Sequence, residues 1–269
     1  MKVYISADIE GVTGATHWDE ANKAQADYGE FREQMTAEVA AACEGALAAG
    51  ASEVWVKDAH WTGRNIIASK LPRQVMLIRD WSNHPFSMMQ ELDGSFQAAL
   101  MIGYHSRAGS DTLLLAHTMS PSVAYVKINE RYASEFLINA YTAGLVHVPV
   151  VFISGDAGVC AEAEAFIPGL STVAVKRGVG SSTINIHPQL AVEKIRSGVE
   201  AALKGDVSRC RVQLPGHFSV EVRYKEHTKA YQSSFYPGVS LKEPYTLQFE
   251  ADDYFDVLRF IMFGISLAG

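Results

Sequence analysis

Two carboxylates stand two residues apart at the end of the chain's first apolar run, where Lys2-Val3-Tyr4-Ile5-Ser6-Ala7 leads into Asp8 and Glu10. In extended backbone, positions i and i+2 share a face. At the carboxyl end of a strand in an open parallel sheet, that face opens on the crevice where ligands bind. Taken as a bare pair, the two acids serve equally well as caps for the turn at Gly11. The pattern returns in Val54-Trp55-Val56-Lys57-Asp58-Ala59-His60, and Ala99-Leu100-Met101-Ile102-Gly103-Tyr104 ends on His105. A fourth apolar run, Leu113-Leu114-Leu115-Ala116, ends on His117. A lone histidine is usually structural. Three imidazoles at corresponding strand ends beside two carboxylates instead form the donor set of a metal centre. Oxygen and imidazole donors without thiolate suit catalytic Zn²⁺, and Mn²⁺ or Co²⁺ would accept the same ligands. Cys43, Cys160 and Cys210 are far apart and lack CxxC spacing, which excludes a cysteine-rich structural zinc site and suits buried thiols.

Other polar residues have weaker claims. Asp58 fits either a turn bond or an acceptor that orients a ligand imidazole. Asn129 and Arg131 are candidate substrate contacts, although Arg131 equally suits a surface ion pair. Asp156 follows an apolar run and a glycine, as a turn residue does. The stretch Gly178-Val179-Gly180-Ser181-Ser182 lacks the GxGxxG or GxxxxGK[ST] pattern of a phosphate cradle and reads as a turn. His17, His84, His147, His187, His217 and His227 have no supporting constellation.

Positioning such a cluster requires parallel strands separated by helices. Apolar runs at Lys2–Ala7, Glu53–Lys57, Gln74–Ile78, Ala98–Gly103, Leu113–His117 and Pro149–Ser154 are candidate strands, several suited to burial on both faces. Between the first two, Met35, Val39, Cys43, Ala46 and Leu47 recur at helical spacing from Phe31 to Ala49, and Gly50 supplies a stop. A second helix is expected from Ser134 to Thr142, with Ser134 as N-cap and Glu135 in its first turn. These βα units predict an α/β fold: a largely parallel sheet flanked by helices over residues 1–172. After about Val173 the texture changes to a helix over Pro188–Leu203 and alternating strand segments in Gln213–Tyr224 and Tyr245–Glu250. The expectation there is a smaller α+β part over 173–269 that contributes to the substrate site or to assembly.

Composition narrows the function. Of 269 residues, 48% are hydrophobic and 20% charged, as in an ordinary packed protein. A net charge of -7 without a dense Lys/Arg run argues against nucleic acid or anionic membrane as partner and leaves small-molecule chemistry. The run Val257 to Ala268 is short and interrupted by Arg259, which fits a core helix rather than a membrane span. The first residues lack the basic and apolar regions of a signal peptide, so a cytoplasmic location is expected.

The strings SADIEG (6–11), VKDAH (56–60), PFSMMQELDGSFQAALMIGYHSRA (85–108), AHTMS (116–120), INERYASEFLINAY (128–141), VPVVFISGD (148–156) and AVKRGVG (174–180) resemble the zinc-dependent D-aminopeptidase family of DppA type. The resemblance covers roughly the first two-thirds of the chain in order. It implies two Zn²⁺ per subunit, bridged by Asp8, with Glu10 and His60 completing one site and His105 and Glu135 the other. It also implies a catalytic role for His117. Glu135 enters only through the resemblance; as a residue in a helix's first turn it otherwise reads as a favourable dipole contact. The implied activity is release of N-terminal D-amino acids such as D-Ala from short peptides, by a hydroxide that the two metals activate. A homo-oligomeric ring enclosing the active sites is implied as well. The handedness rests on the resemblance alone, because hydrolysis of an L-peptide needs the same hydroxide. Another dinuclear-metal amidohydrolase, a phosphoesterase using Arg107, and a metal-binding protein without turnover remain open alternatives.

Overall fold

A computed structural model of the chain describes residues 1–266. The first half runs β1 (Lys2–Ala7), α1 (Trp18–Ala21), α2 (Tyr28–Ala48), β2 (Glu53–Asp58), β3 (Val75–Ile78) and β4 (Ala98–Tyr104). Next come β5 (Val123–Ile128), β6 (Arg131–Tyr132), α3 (Glu135–Leu145), β7 (Val150–Asp156), α4 (Ala157–Phe166), β8 (Ser171–Val179) and β9 (Ser182–Asn185). The chain continues through α5 (Pro188–Lys204), β10 (Phe218–Tyr224), α6 (His227–Ser233), β11 (Val239–Glu243), β12 (Thr246–Ala251) and α7 (Tyr254–Ile261), extended by a π-helical turn at Met262–Ser266.

A seven-stranded sheet has the order β3-β2-β1-β4-β7-β8-β9 and is parallel except at its edge strand β9. Its central strands β4 and β7 are buried along their whole length, which is why they read as unbroken apolar runs. From β1 the chain steps outward to β2 and β3, then returns to place β4 on β1's other side. The gap between the ends of β1 and β4 is therefore the switch point at which sheets of this kind bind ligands. Ala7 pairs with both Asp58 and Ile102, so the residues leaving β1, β2 and β4 emerge level with one another.

The second sheet, β11-β12-β10-β5-β6, is antiparallel. On β10, Phe218, Val220, Val222 and Tyr224 point inward and alternate with the more accessible Ser219, Glu221 and Arg223, the alternation expected of a sheet with one wet face. Its inner face packs on α7 and α3: Tyr254 lies 5.0 Å from Phe218 and donates its hydroxyl to Ile138 O. The two sheets share one continuous apolar core. The boundary expected near residue 173 falls inside β8, and β5 and β6, from the first part of the chain, belong to the antiparallel sheet.

One expected strand is absent. Leu113–His117 is a turn segment, closed by Ala116 N donating to Leu113 O. Its apolar residues mislead because Leu113 and Leu115 are buried as loop packing, while Leu114 faces outward. The helix expected at Ser134 begins there, with the Ser134 hydroxyl accepting from Leu137 N, and runs on to Leu145. The tail of the expected C-terminal helix beyond residue 266 lies outside the described residues.

Candidate active site

Asp8 follows β1 directly, His105 follows β4 directly, and His60 lies two residues beyond β2. All three arrive at the switch point. Glycine makes the approach possible: a Cβ on Gly11 would lie 1.8 Å from Tyr104 O, and one on Gly103 would lie 2.3 Å from Asp8 O. Gly11 N can therefore donate to Gly103 O, and Asp8 N to Ile102 O, joining the two strand exits back to back. Glu135 comes from the first turn of α3, and His117 from the loop before β5, where Met119 N donates to Glu135 Oε1.

The six side chains form one cluster, five of them buried and His117 partly so. His60 Nδ1 lies 3.3 Å from Asp8 Oδ1 and 3.0 Å from Glu10 Oε2. His105 Nε2 lies 3.5 Å from Asp8 Oδ2 and 3.4 Å from Glu135 Oε2, and His117 Nε2 lies 3.5 Å from Glu135 Oε1. The His105 and His117 rings stack at 4.3 Å. Potential ligand atoms of Asp8, Glu10 and His105 fall within 4.8 Å of one another, as do those of His105, His117 and Glu135.

Each imidazole is held from behind by a main-chain carbonyl. His60 Nε2 meets Ala21 O at 2.8 Å, His105 Nδ1 meets Ser106 O at 2.9 Å, and His117 Nδ1 meets Leu115 O at 2.9 Å. A carbonyl only accepts, so each of these nitrogens carries a proton, and the other ring nitrogen faces the carboxylates, where a metal would replace its proton. This is how proteins orient histidines toward a metal. His105 Nε2 and Glu10 Oε2 are buried without a hydrogen-bond partner, and an orphaned donor set of this kind fits a bound cation. The electrostatics agree. Burial, with Glu10 alongside, raises the Asp8 carboxyl well above its ordinary range, against the hydrogen bond from His60. Burial also works to raise Glu10, but His60 outweighs it and holds that carboxyl well below the usual range. His105 is driven up to about 10, burial opposing and Glu135 prevailing. Burial and the neighbouring His105 push His117 down. Three crowded buried carboxylates thus demand positive charge, which divalent cations supply.

The weaker candidates lie outside the cluster. Asp58 accepts from Asn65 N, Ile66 N and Asn65 Nδ2, and Asn65 Nδ2 also donates to His60 O, so Asp58 shapes the loop carrying His60 without touching an imidazole. Asp156 caps α4 and accepts from Ser106 N, which anchors the residue after His105. Asn129 bridges His217 O and Ser219 N, and Arg131 lies over the Phe166 ring, away from the cluster. Arg107 lies over the Tyr132 ring. The cluster opens on a cavity of about 610 Å³ lined also by Trp18, Asn22, Trp61, Trp81, Asn83, His84, Met88, Met119 and Met262. Of these, His84 stands in the sequence without a constellation, and nothing in the local pattern of the tryptophans and methionines separates a cavity wall from a core.

A parallel sheet with carboxylates and imidazoles converging at its switch point defines a metallohydrolase-type centre. Across residues 1–263 the chain matches the peptidase family M55, described as D-aminopeptidase, and it belongs to that family. It is 30% identical over 270 residues to a D-aminopeptidase of Bacillus subtilis (strain 168), covering 100% of this chain and 98% of that protein. It is also similar to a solved structure, the Zn-dependent D-aminopeptidase DppA from Bacillus subtilis, described as a self-compartmentalizing protease. The TM-score is 0.94 at 30% identity, covering 100% of this chain and 98% of that one. Among the described residues no helix is long and apolar enough to cross a membrane.

Proposed function

We propose that the chain is a zinc-dependent aminopeptidase that releases N-terminal D-amino acids, D-Ala among them, from short peptides. The observation that carries this reading is the set of three imidazoles, each pinned by a carbonyl so that its free nitrogen faces Asp8, Glu10 and Glu135. Asp8 divides its two oxygens between His60 and His105, which supports a shared carboxylate with Glu10 and His60 holding one zinc ion and His105 and Glu135 the other. Bound there, two zinc ions supply a nucleophilic water at neutral pH and polarise the scissile carbonyl. His117 is the proton carrier: with Nδ1 committed to Leu115 O, Nε2 faces the cavity to take a proton from the attacking water and return one to the leaving amine. Its side chain is 13% exposed against 0% for His105, as suits a residue that meets substrate.

No Lys or Arg is among the described residues lining the cavity, and Arg107 is turned onto Tyr132. That disfavours phosphoesters, which call for cationic partners beside the metals. The preference for D-residues comes with family membership, since the ions treat both hands alike. Three free, buried cysteines suit a reducing, cytoplasmic setting. Assembly into a homo-oligomer that encloses the sites, as the self-compartmentalizing relative is described, would restrict entry to short peptides.

The test is to load the purified chain with zinc, measure bound metal, and compare cleavage of D-Ala-D-Ala with L-Ala-L-Ala for the wild type and for His117→Ala. The wild type is expected to cleave the D-peptide, and the variant to keep both metals while losing about 100-fold or more in kcat. Full metal occupancy with no cleavage of either peptide would sink the aminopeptidase. Loss of a metal in the variant would move His117 into the ligand shell, a second reading that its grouping with His105 and Glu135 supports.

A further inference from the structure

The reaction described above leaves the apolar part of the cavity without a role. Trp18, Trp61, Trp81, Met88, Met119 and Met262 line the same space as Asp8, Glu10, His60, His117 and Glu135. Two of the indoles sit next to reacting groups: Trp61 follows His60 in sequence, and the Trp18 ring lies 5.3 Å from that of His117. Both are accessible, Trp61 60% and Trp18 36%. Apolar surface left in water beside a catalytic cluster marks a place where a ligand completes the contact.

The wall is constructed, not incidental. Trp81 Nε1 donates to Trp61 O at 2.7 Å, and Asp80 N donates to Gly63 O at 2.7 Å. Gly63 has φ +62, and a Cβ there would lie 2.8 Å from Asp80 Cα, so the loops carrying Trp61 and Trp81 are clamped together. From below, Lys57 Nζ donates to Asp80 O at 2.7 Å and lies 3.8 Å from the Trp81 ring centroid. Trp61, Asn83, Ser87 and Met119, all lining the cavity, hold left-handed backbone at φ 41, 60, 47 and 63. Bulky residues adopt that conformation only where the surroundings enforce it, and such positions gather at binding sites.

We propose that this wall is a subsite for a bulky apolar side chain, aromatic above all, on a residue flanking the scissile bond, so that peptides carrying such a residue are better substrates than alanine peptides. The proposal rests on the aminopeptidase reading. Flat indole faces and polarizable thioethers match an aromatic ring. A cavity of about 610 Å³ leaves much of its volume unfilled by two alanines. An acidic side chain would gain nothing from the indole and thioether wall, where no Lys or Arg of the lining stands to pair with it.

The experiment compares kcat/KM of the zinc-loaded full chain for D-Phe-D-Ala, D-Ala-D-Phe, D-Ala-D-Ala and D-Asp-D-Ala. At least one phenylalanine peptide is expected to exceed D-Ala-D-Ala by about tenfold or more, since even one methylene in an apolar pocket is worth about tenfold. The better of the two assigns the subsite to one side of the scissile bond, and D-Asp-D-Ala is expected to be the poorest. Trp61→Ala, checked for an unchanged melting temperature, is expected to bring the Phe/Ala ratio toward one. D-phenylalaninamide is expected to perturb indole fluorescence of the wild type at lower concentration than D-alaninamide. Cleavage of all four peptides with D-Ala-D-Ala equal or best overturns the subsite alone. Cleavage of none overturns the aminopeptidase reading and the subsite with it.

Discussion

Asp8 turns Oδ1 toward His60 and Oδ2 toward His105, at 3.3 and 3.5 Å, so a single carboxylate faces both halves of the cluster. Asparagine keeps the shape of that side chain but replaces one oxygen by a donor and removes the charge. Asp8→Asn is therefore expected to weaken both metals together, each by about tenfold or more, read by elemental analysis after dialysis against a graded chelator. If only one ion is lost, Asp8 is not shared. The other proposed ligands divide by how their backbone is delivered. Glu10 and His60 ride on loops fixed by hydrogen bonds, whereas Glu135 stands in the first turn of α3 and binds Met119 N. That bond ties the loop carrying His117 to the carboxylate–imidazole cluster, so a helix-terminal acid that looks like a dipole partner in the sequence also places the histidine proposed to carry protons.

The segment between β1 and α1 carries Glu10, and two buried charges hold it. Lys176, from β8, donates to the carbonyls of Glu10 and Ala15. Glu38, from α2, accepts from Thr13 N at 2.9 Å and from Gln34 Nε2 at 2.9 Å, while its Oε2 is buried without a partner. Burial raises the Glu38 carboxyl above its ordinary range, against the hydrogen bonds from Gln34 and Thr13. With its folded pKa raised, Glu38 ionises later in the folded chain than in the unfolded one. The folded state then carries the cost of a buried charge at neutral pH, and that cost fades as pH falls through the raised value toward 4.5. Glu38→Gln keeps the acceptor for Thr13 N and removes the charge. Its melting temperature is expected to exceed that of the wild type at pH 7, with the gap closing by pH 4.5; a gap independent of pH would refute the assignment. Lys176 and Glu38 were beyond reach of the sequence because they act from 166 and 25 residues away on atoms of the main chain. Asp8, Glu10, His60 and His105 were legible because parallel register alone brings the ends of β1, β2 and β4 level. His117 was reached through a strand that does not exist: three consecutive leucines carry no period that separates a buried loop from a buried strand.

At the scale of the molecule, the parallel sheet supplies the cluster and the antiparallel sheet contributes little to it; Met262, in the π-turn after α7, is the C-terminal residue that reaches the cavity. That second layer presents exposed aromatics of its own. Phe235 is 71% accessible, Tyr231 60% and Phe263 52%. Phe235 stands edge-on to Tyr231 at 5.1 Å, and Phe263 stacks on Tyr236 at 6.3 Å, so two aromatic pairs extend outward from α6 and the π-turn. Scattered single apolar residues need no explanation, but neighbouring aromatic pairs left in water are what subunit interfaces bury. The expected outcome is an assembly several times the 29.4 kDa of one chain by size-exclusion chromatography with light scattering. Phe235→Glu is expected to shift it toward smaller species, because a charge desolvated at the centre of such a contact costs several kcal/mol, about enough to change affinity 100-fold or more. A side chain already 71% in solvent contributes little to the subunit's own core, so the fold of the subunit is expected to survive, seen as unchanged circular dichroism. A wild-type chain that runs as a monomer at micromolar concentration would remove the interface, and with it the expectation that long peptides are kept out by assembly. The cleavage of peptides of increasing length by wild type and Phe235→Glu then separates the two causes of length selection: a limit that disappears with the assembly belongs to the enclosure, and one that persists belongs to the tryptophan-walled cavity.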